Sequence, residues 1–403
     1  VRERYRRLSD LAKESDFGDL DENIVVIDTE TTGFSFNHDE LTQIAAARME
    51  HGEVVDWYVT FVNPGKPIPD DVAHLTNIHD EDVADAPTPD EALAGLVEFA
   101  GDAKIVAHNA EFDRTFTTRH PSGYPLLDNI WIDSLDLARI ALPRMRSHRL
   151  IDLVKAFGAP TSTHRADDDV AATCALFRIL LAAVHEMPPA LVKCIALLAP
   201  VEQWNTAVVF QYFAQPEAKS FSLKELRHES MTSYERKPRI DAKMVQSMEY
   251  PTAEDIAQAF SPTGIVGKLY NDFEPREEQL TMAQEVRAAF EASENLVVEA
   301  GTGVGKSMAY LVPAVLMAKA NNIAIGVATK TNALLDQLVY HELPALAQSL
   351  GDITYAPLKG FPHYPCLRKV NRFVKEGVKM VDVQGTKYSQ APSLGALLSF
   401  IDQ

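Results

Sequence analysis

From about residue 23 to residue 183 the chain alternates short β-rich runs with helical stretches, and that order restricts it to a mixed α/β domain. NIVVIDTE is the first β run, LTQIAAARME begins a second, and EVVDWYVTFVNP is a third that ends at Pro64. A helix is expected over PDEALAGLVEFA, then the strand KIVAH, then a helix from about Asn109. A further helix runs from about Arg165 to His185 and is closed by Pro188 and Pro189. Residues 190–262 carry a weaker pattern, in which two helical stretches flank the polar, linker-like HESMTSYERKPRID. A second α/β pattern begins near Phe273. The expected division is an N-terminal extension (1–21), a first α/β domain (22–187), a helical and linker segment (188–262) and the front part of a second α/β domain (263–403).

The 403 residues suffice for two or three domains, and 46% apolar with 24% charged residues excludes a disordered tail or a fibre. Acidic side chains outnumber basic ones 57 to 38, for a formal net charge of −19. A protein that grips nucleic acid by bulk charge is expected to be basic, so any such contact here must be local or carried by bound metal. Cys174, Cys194 and Cys366 lie far apart and are odd in number, which fits a reducing compartment. No run of 18 apolar residues and no signal-peptide pattern is present, so the expected location is the cytoplasm, with no membrane contact.

Asp28 and Glu30 end the first strand. Positions two apart on a strand point the same way, so their carboxylates share a face and repel unless a cation lies between them. Asp113 stands in the first turn of the helix after KIVAH, and His164 precedes a helix that opens with Asp167, Asp168 and Asp169. Helical phase separates these three. Asp167 is three turns from Arg178 and shares its face, most simply the solvent side, whereas Asp169 lies about 200° away. Asp169 then heads the apolar stripe of Thr173, Leu176 and Leu180, where an unpartnered charge is costly. Asp167 and Asp168 read as helix-dipole caps and Asp169 as the ligand.

DTETTG, then HNAEFD, then HRADDD is the motif order of the DnaQ-like DEDDh 3′→5′ exonucleases, and residues 22–185 resemble that family, with a ribonuclease-H-like mixed sheet implied. The resemblance implies that Asp28, Glu30, Asp113 and Asp169 hold two divalent cations and that His164 is the general base. Carboxylate oxygens suit Mg²⁺ or Mn²⁺. Two such ions about 4 Å apart would clamp the attacking water and the leaving oxygen. A histidine titrating at about 6.5 suits removal of the water's proton. Thr31, Thr32 and Asn109 lie beside the ligands, where they could touch the terminal nucleotide or serve turn and capping roles. The basic stretch 139–149 (RIALPRMRSHR) is a candidate for holding the strand's backbone, or a solvated face.

NLVVEAGTGVGKSMAYLVPAV has the order apolar strand, glycine-rich turn, helix. Gly301, Thr302, Gly303, Val304 and Gly305 would wrap phosphates, Lys306 would reach the β and γ phosphates, and Ser307 would bind the Mg²⁺ of ATP. Ala300 stands where the strict motif has glycine. FEPREEQLTMAQEV, with Arg276 and Gln279, resembles the adenine-side motif of DinG-like helicases, whose first RecA-like lobe 263–403 resembles in part. LKGFPHYPCLRK resembles their segment bearing a first iron–sulfur cysteine, here Cys366; a cluster would need a longer chain. No acidic D-E-A-H box follows the loop, so little ATP turnover is expected of these residues. The expected function is a metal-dependent 3′→5′ exonuclease on single-stranded DNA joined to an ATP-binding helicase-like module. The alternatives are a helicase as the main activity of a longer parent, a nucleotide-gated DNA clamp, and an exoribonuclease.

Overall fold

The computed structural model describes residues 2–158, 165–223, 247–270, 273–301, 303–351, 353–383 and 386–402. They form two compact units, Val1–Met231 together with Cys366–Gln403, and Thr232–Pro365.

The first unit is built on a five-stranded mixed sheet, ordered β3-β2-β1-β4-β5. Its strands are β1 (Ile24–Thr31), β2 (Leu41–Glu50), β3 (Glu53–Phe61), β4 (Lys104–Ala107) and β5 (Trp131–Asp133). β1, β2 and β3 pair antiparallel, and β4 and β5 continue parallel to β1. Strand alternation sends Val25 and Ile27 to one face, under α4 (Pro89–Ala100) with Leu93 and Leu96, and Ile24 and Val26 to the other. There α6 (Ser134–Ala141), α7 (Leu150–Phe157) and α8 (Ala166–His185) cover the sheet. Burial on both faces is why Ile24–Ile27 is apolar without interruption. The helix expected over PDEALAGLVEFA is α4, started by a Thr88–Glu91 capping box with Pro89 at its first position.

Two expectations change here. The N-terminal extension is part of this unit, because α1 (Arg2–Glu14) buries Leu8 and Ala12 against the α8 side. Arg178, assigned by phase to the solvent side, lies beneath that extension. Its guanidinium pairs with the buried Asp21 and donates to the carbonyls of Ala12 and Ser15, so the face shared with Asp167 is partly covered.

The segment after 366 also belongs to the first unit rather than to the second as the expected boundaries had it. The helices Leu367–Glu376 and Ala391–Asp402 bury Val370, Ala391, Leu394 and Leu398 in the same core, and Gly395 lies against Ile140 of α6 and Ile195. An apolar stripe at helical spacing has to be covered, and α6 with α9 (Pro189–Ala196) covers this one. A short antiparallel hairpin, Met380–Val383 with Thr386–Ser389, joins the two helices. α9 and α10 (Ala207–Phe213) likewise pack into this core, so most of the described part of the expected linker segment is structural.

The second unit packs the helices Ala253–Ala259, Glu277–Ala292, Lys306–Asn321 and Leu343–Leu350 around Phe260, Met308, Leu311, Val312 and Leu346. Among its described residues there is no strand. The expected strand NLVVEA has no regular structure, with Val297 96% exposed. Parallel strands need hydrogen-bonding neighbours and helices on both faces. The described residues of this unit supply no such neighbour, and so the apolar run stays open. The polar stretch 228–241 lies outside the described residues.

Candidate functional site

β1 pairs with β4 only as far as Val26, then runs five residues beyond it. The overrun carries Asp28 and Glu30 into a notch at the carboxyl ends of the parallel strands. Asn109 starts α5 (Ala110–Thr117) there in a left-handed conformation (φ 74°), and its N–H donates to Asp133 Oδ1 at 3.1 Å. That turn points the first helical turn, with Asp113, back at β1. Thr29, between the two acids, donates its hydroxyl to Asp113 Oδ1 at 2.8 Å.

α8 brings in the fourth acid. Gln43 on β2, paired in register with Glu30 and 1% exposed, accepts the N–H of Ala166 at 3.3 Å and so fixes where α8 begins. One turn later Asp169 is buried in the notch, as the helical phase requires. Carboxylate oxygens of Asp28, Glu30 and Asp169 lie within 4.8 Å of one another. Asp167 pairs instead with Arg165 on a more exposed face. His164 lies outside the described residues.

The electrostatics of the cluster follow from its burial and its shared charge. Burial, then Asp113, Glu30 and Asp169, raise Asp28 far above the ordinary carboxylate range. Burial, then Asp169 and Asp113, raise Glu30 to about 8. Burial raises Asp113 to about 7 even though the Thr29 hydroxyl opposes it. Such carboxylates ionise together only beside a cation, and four hard oxygen donors with no sulfur or imidazole among the described ligands suit Mg²⁺ or Mn²⁺.

The rim is formed by the loop that follows β1. Thr31 and Thr32 are buried, and their hydroxyls serve the loop itself: Thr31 donates to the Gly33 carbonyl at 2.6 Å and Thr32 to Asp39 Oδ1 at 3.0 Å. Those side chains are turn scaffolding, the other role the sequence left open. Asn109 is exposed at the rim. The loop they hold presents Phe34, 81% exposed, and Phe36, both tilted against Phe112, the neighbour of Asp113. Sequence reasoning missed these aromatics and Gln43; a glutamine inside the apolar LTQIAAA was the available signal for the latter. Behind the notch, His108 Nε2 donates to the His148 carbonyl at 3.0 Å and Nδ1 accepts from Ser134 at 2.9 Å. Burial lowers this histidine to about 4, so it is a neutral strut rather than a base.

In the second unit, Gly303 (φ 85°) and Gly305 (φ 81°) take left-handed turns ahead of the helix that starts at Lys306. Lys306 folds back on the carbonyls of Ala300 and Gly301 at 2.9 and 2.8 Å. The sequence placed Arg276 and Gln279 at the same site, and both reach it: Arg276 donates to the Gly303 carbonyl and Gln279 to that of Gly305 at 2.9 Å. The left-handed backbone at Gly305 favours glycine, and a Cβ there would press on the Gln279 side-chain amide. Ser307 is half-buried in the first helical turn, Val304 is half-buried and Gly301 exposed; Thr302 lies outside the described residues.

Cys366 is exposed just before the helix Leu367–Glu376, where the Lys369 N–H holds its thiol below the usual value. Cys174 is buried in α8 and Cys194 lies in α9. The three therefore form no cluster, and no cysteine group able to hold a metal occurs among the described residues.

Residues 25–177 match the family described as Exonuclease. Over 380 residues, 91% of it, the chain is 30% identical to 3′-5′ exonuclease DinG of Bacillus subtilis (strain 168). Over 368 residues it is 26% identical to the protein of the same name from Staphylococcus aureus (strain bovine RF122 / ET3-1). The chain spans 40% and 39% of the length of these curated relatives. Among solved structures, exonuclease X in complex with 5′ overhanging duplex DNA overlays 39% of this chain and 90% of its own, at 27% identity and a TM-score of 0.33.

Proposed function

We propose, from the premise that residues 25–177 are an exonuclease-family domain in a chain similar along most of its length to DinG-type exonucleases, that this domain removes nucleotides from the 3′ end of single-stranded DNA. One observation carries the reading: Asp28, Glu30 and Asp169, from two separated stretches of chain, bring oxygens within 4.8 Å of one another. Asp113 completes the set from α5, held by Thr29.

Asp28, Glu30, Asp113 and Asp169 would hold divalent cations. When bound, such cations offset the phosphate's charge and lower the pKa of the attacking water. The remaining work falls to the chain. The acids fix where the scissile phosphate can sit, and Gln43 sets α8, and with it Asp169, at the right height. Phe34 offers an exposed ring on which a terminal base can stack. His164 takes the proton of the water, an assignment that rests on motif order alone. These groups act at the phosphate and read no sugar, so an exoribonuclease is the alternative.

The loop 301–307 is proposed to bind ATP with Mg²⁺. Support comes from the meeting of Arg276 and Gln279 with Gly303 and Gly305. An ATP-driven helicase remains a proposal for a longer protein.

The test is a 5′-labelled single-stranded oligomer with Mg²⁺ or Mn²⁺, beside Asp28→Ala. A ladder that shortens from the 3′ end, and is lost with chelator and in the variant, is expected. An equal ladder from Asp28→Ala would falsify the reading. Repeating the assay with RNA decides the sugar.

A further inference from the structure

Residues 366–389 belong to the exonuclease unit, yet none of them takes part in the chemistry of the carboxylate notch. In a chain of net charge −19, this stretch carries Arg368, Lys369, Arg372, Lys375, Lys379 and Lys387 against only Glu376 and Asp382. All six cations are exposed. The fold explains why those on the helix Leu367–Glu376 face outward. Val370, Phe373, Val374 and Val378 pack into the core formed by α6, α8 and α9, so the opposite face of the helix Leu367–Glu376 must look to solvent. Arg368, Arg372 and Lys375 follow one another at helical spacing on that face, and Lys379 is exposed just after the helix. The two carboxylates only partly offset it: Glu376 lies 3.9 Å from Arg372 and both are well exposed, while Asp382 is directly across the hairpin from Lys387. On the same hairpin Tyr388 leaves 40% of its surface exposed, a ring among cations.

A second basic stretch, residues 139–149, lies in the same compact unit. Arg144 stacks on Phe400 of the helix Ala391–Asp402 with its Cζ 4.5 Å from the ring centre, and donates to the Phe400 carbonyl at 3.4 Å. Arg144 belongs to the loop that also exposes Arg146 and Arg149. In the same loop, His148 accepts from His108, five residues before Asp113. Exposed basic side chains thus occur on residues 366–389 and on residues 139–149, the latter joined to the helix Ala391–Asp402 by Arg144 and to the residue after β4 by the His148 carbonyl.

We infer that residues 366–389 and 139–149 form a track for the phosphodiester backbone of a single strand whose 3′ end lies in the carboxylate notch. The inference rests on the exonuclease reading and adds a surface to it. A line of exposed cations with an interleaved aromatic ring on one compact unit matches a polyanion with bases, and the acidic remainder of the protein disfavours polyanions elsewhere.

The experiment uses the full chain in chelator with fluorescein-labelled oligothymidylate, one short strand and one long enough to outrun the notch, over a series of salt concentrations. The wild type is expected to bind the long strand more tightly. In the quadruple variant Arg368→Gln, Arg372→Gln, Lys375→Gln, Lys379→Gln that advantage is expected to fall about tenfold or more. The slope of log affinity against log salt should become shallower by roughly 0.7 for each phosphate the variant no longer neutralises. Arg368→Lys with Arg372→Lys keeps the charge and is expected to keep the affinity, which separates charge from fold. An unchanged slope in the quadruple variant overturns the track. So does wild-type binding to phosphatidylglycerol vesicles in place of the strand, which would make the face a membrane contact. Tight, variant-sensitive binding without degradation in Mg²⁺ or Mn²⁺ sinks the nuclease reading and leaves the track standing; degradation with an unchanged slope does the reverse.

Discussion

The hydroxyl of Thr29 donates to Oδ1 of Asp113 at 2.8 Å, and with that single bond β1 orients an acid that belongs to α5. It also works against the burial that lifts Asp113 toward neutrality. Thr29→Val keeps the shape and removes the donor. Groups that orient metal ligands typically change metal affinity 10–100-fold. A loss of about that size in the Mn²⁺ dependence of strand cleavage is expected, with little change in thermal midpoint when chelator is present. A Mn²⁺ titration identical to wild type would remove Thr29 from the site.

The acidic notch gives a pH signature with a definite sign. Glu30 rises from 4.5 to about 8, so the chelated folded state holds a proton that the unfolded chain has already released. Stability is therefore full below about 4.5 and falls as pH rises toward 8. Mg²⁺ is expected to reduce that fall by taking the proton's place, and Asp169→Asn to lessen it without metal by removing the neighbouring charge that most raises Glu30. Thermal midpoints across this window, with and without Mg²⁺, are the measurement. A chelated protein that gains stability from pH 4.5 to 8 would contradict the account.

Phe34 touches little of the protein, so Phe34→Ala should leave the fold intact. Base stacking on an aromatic side chain contributes about 1–3 kcal/mol. The expected result is a raised KM for strand cleavage, roughly tenfold, with an unchanged unfolding midpoint. If instead only kcat falls, Phe34 does not meet the base in the ground state.

Arg178 and Asp21 form a buried ion pair, with side-chain exposures of 14% and 3%. Arg178→Ala leaves Asp21 buried beside an empty space, and a loss of about 3–5 kcal/mol is expected. Asp21→Asn in the same background should recover part of it, since the uncompensated charge is then gone. Chemical unfolding of the two single variants and the double variant measures both effects.

What the sequence disclosed follows from how local each signal is. The strand ending in Asp28 and Glu30 and the capping box at Thr88 are set by a few adjacent residues, and the α8 phase that selects Asp169 by a few turns of one helix; all could be read directly. The turn at Asn109 that aims Asp113 is equally local. Arg178 was misplaced because its cover, the α1 segment, is 166 residues away in sequence, and helical phase cannot see a second layer. The same holds for residues 391–402, whose apolar stripe shows that something covers it without naming α6 and α9. NLVVEA shows the converse: local β preference without a neighbouring strand yields no strand.

The return of residues 366–402 to the first unit has a consequence for how the chain responds to cutting. The second unit is an insertion, with its flanks on both sides rooted in one body. A single protease nick within 232–365 should leave two fragments that travel together under native conditions and part only in denaturant. Deleting everything past residue 231 strips the cover from Ile140 and Ile195. The compact body that holds the carboxylate notch is therefore discontinuous in sequence, and a piece ending at residue 231 is expected to melt lower than the same piece mixed with residues 366–403.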